Sequence, residues 1–274
     1  MNPSHGSDDL LPRCRFRLAV TGKGGVGKTV IAAMIVRRLK EQGHRVLLVD
    51  GDPAMGLAYM FAADTSKTIG AFRDQVLNNP KVKRELESAQ VKEIMIRDTL
   101  INLDEQSDLL IMGADEGEGC FCGINTLLKY GIGSIAKDYD AMVIDCEAGL
   151  EQVRRRVLHQ VNLLLIISDM SARGLKTASH LAKVVGQQNA EVVLPEMAGL
   201  IINRYKGVDS FVCRAKSQTG LKLLATIPED EHISEIDLNG LSIDHLPSAS
   251  ASYVKLTELL EQLTRTLVLG DEAT

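Results

Sequence analysis

The sequence predicts a doubly wound α/β fold built on a single, mostly parallel sheet of about seven strands. Short apolar runs recur along the 274 residues, and most are continuously apolar rather than alternating. Continuous runs suit strands buried on both faces of a parallel sheet. Segments with helical spacing lie between them, and alternating strands and helices are the pattern of a doubly wound sheet.

Taken in order, residues 1–15 read as a polar, poorly ordered tail containing Pro, Ser, Gly and Asp. Residues 16–274 read as one domain without repeats or a low-complexity linker. The predicted strands are 16–20 (FRLAV), 45–49 (RVLLV), 109–112 (LLIM), 141–144 (AMVI), 163–168 (LLLIIS), 198–202 (AGLII) and 223–227 (LLATI). Helices are predicted over 30–40, closed by Gly43 as a C-terminal cap, and over 173–185. Residues 54–107 are polar and read as a helical excursion on the rim of the sheet.

Composition excludes several classes. Hydrophobic content of 45% with 24% charged residues is that of a soluble globular chain. A net charge of −5 gives no electrostatic reason to expect nucleic acid as a partner. The basic stretch RCRFRLAV loses its apolar character at Thr21 and is not a secretory signal. Apolar runs such as Leu163–Ile167 are far too short to cross a bilayer. Five cysteines do not form a disulfide framework, so the chain reads as cytoplasmic with reduced thiols.

Residues 22–29, GKGGVGKT, fit the pattern G-x-x-x-x-G-K-[ST], with an apolar strand before and an apolar-periodic helix after. Glycines let the backbone N–H groups of Gly24, Gly25, Val26 and Gly27 turn inward around phosphate oxygens. The helix starting near Lys28 adds the positive end of its dipole. Lys28 is then the cation for the terminal phosphates, and Thr29 the hydroxyl ligand of Mg²⁺. The predicted ligand is a nucleoside triphosphate.

The second lysine narrows the class. GKGGVGKT resembles the deviant Walker A motif of the MinD/ParA/nitrogenase-iron-protein group of ATPases, which are P-loop NTPases of the SIMIBI class. The resemblance implies that Lys23 reaches across a homodimer to phosphates bound by the other subunit. A cation from a partner makes phosphoryl transfer depend on assembly. In LLVDGDP the aspartate that matches switch I, near Mg²⁺ and the attacking water, is Asp52. In MVIDCEAGLE, Asp145 matches the Walker B carboxylate, and a segment similar to the group's D-x-x-A-G switch II follows. Asn203 resembles the adenine-reading asparagine, and Pro228, Glu229 and Asp230 resemble the loop that closes over the base. The resemblance spans nearly all of residues 16–265 and is weakest over 54–107.

Residues 113–131, GADEGEGCFCGINTLLKYG, suggest what the ATPase is for. Cys120 and Cys122 flank one residue, so both thiolates can chelate one soft metal. Two sulfurs do not complete a tetrahedral shell, and a two-fold dimer supplies the second pair. The bracketing glycines and the acidic Asp115, Glu116 and Glu118 are poor material for two packed core cysteines, the plainer alternative. Cys14, Cys146 and Cys213 lack such spacing and read as structural. A MinD-like ATPase with C-x-C before switch II is similar to the CooC family of nickel-insertion ATPases. That resemblance implies ATP and Mg²⁺ as cofactors, Ni²⁺ or Zn²⁺ at the dimer interface, and a client metalloenzyme such as carbon monoxide dehydrogenase.

Two rivals come from the same group. A spatial-organisation ATPase that binds membrane needs a basic amphipathic C-terminal helix. Here the last helix carries Leu256, Leu259, Leu260, Leu263 and Leu267 among mixed charges, which suits packing against the sheet. A DNA-positioning form needs a basic patch, and Arg154, Arg155 and Arg156 are too few. An iron–sulfur reductase resembling the nitrogenase iron protein needs a cysteine in switch II, and EAGLEQVRRR has none.

Overall fold

The computed structural model describes residues 16–87, 91–113, 132–146, 161–186 and 197–270. Its strands are β1 Phe16–Gly22, β2 Val46–Asp50, β3 Leu100–Asp104, β4 Ser107–Ile111, β5 Ala141–Asp145, β6 Leu163–Ser168, β7 Met197–Tyr205 and β8 Lys222–Pro228. They form one sheet in the order β3-β4-β2-β5-β1-β6-β7-β8. Among the described residues only β3 and β4 pair antiparallel, and the other pairings are parallel. The strand order reverses around β1, and in open α/β sheets the crevice outside the strand C-termini at that reversal is the ligand position.

The helices are α1 Lys28–Glu41, α2 Gly56–Met60, α3 Ile69–Asn78, α4 Pro80–Glu87, α5 Val91–Thr99, α6 Ala172–Gly186, α7 Asp209–Thr219, α8 Glu231–Asn239 and α9 Ala251–Gly270. They cover the two faces of the sheet, and the pleat decides which side chain goes where. On one face Leu18, Val20 and Leu48 meet Ile31 and Ile35 of α1 and Leu256 and Leu260 of α9. On the other, Ala19, Leu47 and Ile144 meet α3, α5, α6 and α7. Each fully buried Leu or Ile contributes about 1.5–3 kcal/mol of transfer free energy, so the central strands are strongly held in place. Gly43 follows α1 with φ 83°, the left-handed conformation that ends a helix.

Three expectations need correction. The sheet has eight strands, not about seven, because Leu100–Asp104 pairs with β4 across a tight turn. This edge strand is only half-buried, so its apolar signal is diluted, and its turn is set by Asp104 accepting from the Gln106 N–H at 2.8 Å and the Ser107 hydroxyl at 2.8 Å. Residues 54–107 are helical over much of their length, but they are not a rim excursion. Ile69, Phe72 and Val76 of α3, with Ile94 and Met95 of α5, are buried in the core. Their apolar positions are sparse among charged residues, which makes a core-facing helix look like a solvated one. Cys213 also departs from expectation: it is exposed, whereas Cys146 is buried.

Candidate nucleotide-binding site

The site begins where β1 runs out. Gly22 lies against β6 so closely that a Cβ would overlap the Ile167 carbonyl. Gly25 and Gly27 follow at φ 79° and 91°, conformations in which a side chain is strained. These turns fold residues 22–27 back over the start of α1. That helix has no side-chain cap and no acidic residue in its first turn, so its leading N–H groups and dipole remain available to an anion. Lys28 is 6% exposed and makes no ion pair among the described residues. A buried ammonium is costly unless its charge is balanced; Asp145 balances part of the Lys28 charge, and a bound phosphate would balance more. Lys23 stands at the mouth of the loop, half-buried and likewise without an ion pair among the described residues.

Register builds the carboxylate side. β2 and β5 pair so that Asp50 is directly opposite Asp145, and Val20 of β1 is opposite Asp145 on its other side. The Thr29 hydroxyl donates to Asp145 Oδ2 at 2.6 Å, while Asp145 Oδ1 is buried without a hydrogen-bond partner. Asp50, wholly buried, accepts from the Asp52 N–H at 3.1 Å and the Ala58 N–H at 3.0 Å. Asp52 is half-buried and accepts from the Ala54 N–H at 2.9 Å. Burial, opposed in part by the Thr29 bond and Lys28 and reinforced by the charges of Asp50 and Asp52, pushes the Asp145 carboxyl up to about 7. Burial also raises Asp50, against the pull of its backbone donors. A hydroxyl, an orphaned carboxylate oxygen and a second buried carboxylate are the hard oxygen donors that suit Mg²⁺, whose charge would reverse both shifts.

Asn203, 177 residues from the loop in sequence, is only 7% exposed and donates from Nδ2 to the Val26 carbonyl at 2.9 Å. A Cβ on Gly27 would collide with that amide. Arg204, in the left-handed region at φ 52°, donates to the Gly25 carbonyl at 3.3 Å. The end of β7 therefore holds two carbonyls of the loop. Pro228 ends β8 opposite Tyr205, and Glu229 pairs with Lys206 at 2.8 Å. Asp230 turns inward instead. Its carboxylate accepts from the His232 N–H at 3.1 Å, the Ser252 N–H at 3.0 Å, the Ser252 hydroxyl at 2.9 Å and the Ser250 hydroxyl. It joins α8 to α9, so the Asp230 carboxylate is not free to face a base.

The structure thus brings together Gly24–Thr29, Lys23, Asp52, Asp145 and Asn203. Sequence reasoning gave no role to Asp50, although it begins the D-x-D at a strand end, and none to Arg204. Neither contact is local, so only the register and the crossing of β7 past the loop reveal them. Cys120, Cys122 and the switch II segment lie outside the described residues. Among the described residues no group of three or more His, Cys, Asp or Glu could hold a metal ion.

A glycine-rich loop between a strand and a helix, beside a carboxylate bonded to the loop's own threonine, defines a P-loop nucleoside triphosphatase. The chain belongs to the CobQ/CobB/MinD/ParA nucleotide-binding-domain family, which matches residues 18–243, and it is a P-loop ATPase. It is 33% identical over 258 residues to an uncharacterized ATP-binding protein of Methanocaldococcus jannaschii, covering 90% of this chain and 97% of that one. It is 29% identical over 283 residues to the carbon monoxide dehydrogenase accessory protein CooC of Rhodospirillum rubrum, with the same 90% and 97% coverage. Among solved structures, MinD of Pyrococcus horikoshii in complex with Mg-ADP aligns with a TM-score of 0.64 at 23% identity over 92% of this chain and 98% of that one. A ParA family ATPase of Chlorobium tepidum aligns at 0.66 and 20%, over 90% and 98%.

Proposed function

We propose that the chain is an ATP-dependent metallochaperone of the CooC kind. It dimerises on ATP and metal, and it hydrolyses ATP to help insert nickel into a client such as carbon monoxide dehydrogenase. The observation that carries this reading is the similarity to CooC along 97% of that protein's length, in a sequence that holds Cys120 and Cys122.

In this reading, Lys28 and the inward N–H groups of Gly24–Gly27 bind the β- and γ-phosphates of ATP. Thr29 and Asp145 would hold Mg²⁺, with Asp50 beside them, and the ion would supply positive charge to the phosphates. Asp52 orients the attacking water, and Lys23 reaches the partner subunit's phosphates. Asn203 faces adenine while its amide keeps the Val26 carbonyl, and Pro228 and Glu229 close over the base. Cys120 and Cys122 of two subunits make a four-thiolate site for Ni²⁺ or Zn²⁺ as cargo. The Met112 N–H donates to the Asp50 carbonyl at 2.8 Å, so the end of β4 is tied to the strand that carries Asp50.

Membrane positioning is disfavoured by α9. Its Leu256, Leu259, Leu260 and Leu263 are buried in the core and cannot also enter a bilayer. No described helix is long and apolar enough to cross a membrane. The deciding experiment is equilibrium dialysis of anaerobically purified protein against Ni²⁺ or Zn²⁺. We expect one ion per two chains, lost on replacing Cys120 and Cys122 with Ser and kept on replacing Cys213. Unchanged binding by the double variant, or iron with sulfide instead, would overturn the reading.

A further inference from the structure

We propose that the groove between α6 and α7 docks an acidic, partly apolar segment of a partner protein. The groove measures about 490 Å³, within the range of pockets that seat a ligand or a few side chains. Lys176, His180 and Lys183 stand along α6 at i, i+4 and i+7, so they share one face, and Arg214 of α7 faces them. Leu175 is buried beneath the floor at 2% exposure, and the accessible apolar groups are Ala172 and the methylene stems of Lys176 and Lys183. The Ser179 hydroxyl donates to the Gln218 carbonyl at 2.8 Å and ties the two helices together, so the groove is part of the fold and not a gap between loose elements.

The charge of this face is not that of an ordinary solvated helix. The whole chain carries −5, yet the fifteen residues of α6 include Arg173, Lys176 and Lys183 and no carboxylate. Cations on α1 show the contrast: Arg37 pairs with Glu41, Arg38 with Glu41 and Glu261, and Lys40 with Asp104. Lys176, Lys183 and Arg214 have no ion pair among the described residues. Arg214 instead lies over the Phe211 ring, 5.1 Å from its centroid, which holds the guanidinium at the groove wall.

Cations without an ion pair among the described residues, set around apolar groups, complement a segment that offers both carboxylates and an aliphatic side chain. A nucleic acid would match the cations but has no aliphatic group for the floor, and the net negative charge of the chain repels it at longer range. The groove starts at Ala172, four residues beyond the end of β6, the neighbour of β1.

The test places p-benzoylphenylalanine at Gln218 in the full-length protein, in its own cells. Irradiation is followed by mass-spectrometric sequencing of the cross-linked peptide. We expect one protein segment with net negative charge and at least one aliphatic residue. Its synthetic version, followed by fluorescence anisotropy, should bind the wild type, and its Kd should rise at least about tenfold when Lys176, Lys183 and Arg214 are changed to Glu. Basal ATP turnover of that triple variant should match wild type, which also reports that it is folded. If turnover falls, Lys176→Gln with Lys183→Gln replaces it, with the same expectation for binding. A neutral or basic segment, a nucleic acid adduct, no adduct, or unchanged affinity in the charge variants would each overturn the proposal.

Discussion

Asp145 is held in the fold at odds with its own charge. It is fully buried and beside Asp50, and among the described residues the one hydrogen bond to its carboxylate comes from Thr29. Lys28 is the cation that favours its ionised form. In the unfolded chain its carboxyl titrates near 3.8, and in the folded chain at about 7. Between these values the native state binds more protons than the unfolded one, so stability falls as pH rises from about 4 to about 7 and is level above. Without nucleotide or Mg²⁺, Asp145→Asn removes this slope and should be more stable at pH 8 by roughly 2–4 kcal/mol, the upper end being three units at 1.36 kcal/mol each. Thermal unfolding in chelator from acid to mild alkali checks it. Parallel curves for wild type and variant would mean that Asp145 is not the strained carboxylate. The same substitution leaves Thr29 without its ionised partner, so a more stable protein should also be a poorer Mg²⁺ binder.

At the scale of elements, Asp230 shows how one side chain joins two helices. It caps α8 through the His232 N–H and receives the Ser252 N–H and the Ser250 and Ser252 hydroxyls from the start of α9. Burial opposes its ionisation, but the bonds from Ser250, Ser252 and His232 prevail and hold its carboxyl well below the usual carboxylate range. Its contribution is therefore present at neutral pH and lost as pH falls below about 4. Asp230→Ala should cost about 2–4 kcal/mol, a lost cap plus buried donors left unpaired, read as a lower urea midpoint with the same slope. A change under about 0.5 kcal/mol would show the network to be ornamental. This junction was not legible in the sequence, where Asp230 reads as part of a base-closing turn, because its serines lie some twenty residues away. β1, the glycine loop and α1 were legible, since strand, turn and helix signals there are contiguous. β3 was not, because Asn102 and Asp104 interrupt the apolar run of this half-buried strand. The carboxylate pair was legible as two strand ends, and its side-by-side geometry appeared only with the β2–β5 register.

For the whole molecule, the question is why this loop carries two cations. Lys28 is drawn into its own loop and 6% exposed, whereas Lys23 stands at the loop mouth without an ion pair among the described residues. Both lie at the C-terminal end of the sheet, which also presents Asp52 and Asp145. If Lys23 is aimed at a partner's nucleotide, its effect appears only in the dimer. Lys23→Ala should then bind ATP with near-normal affinity, since Lys28 and the loop N–H groups remain, but lose ATP-driven dimerisation. Turnover should fall by about 10²–10³-fold, the usual loss when one donor to the reacting phosphate or oxyanion is removed. Wild-type turnover per chain should rise with protein concentration until the dimer is saturated, as mass action requires. Metal on the cysteine pairs should lower the concentration needed, and ATP must tighten metal binding by the same factor if both favour one closed dimer. Sedimentation and ATPase assays of Lys23→Ala, with and without chelator, separate these terms. A full dimer that turns over ATP like wild type would reduce Lys23 to an ordinary loop lysine, and the coupling of ATP to metal would then need a different contact.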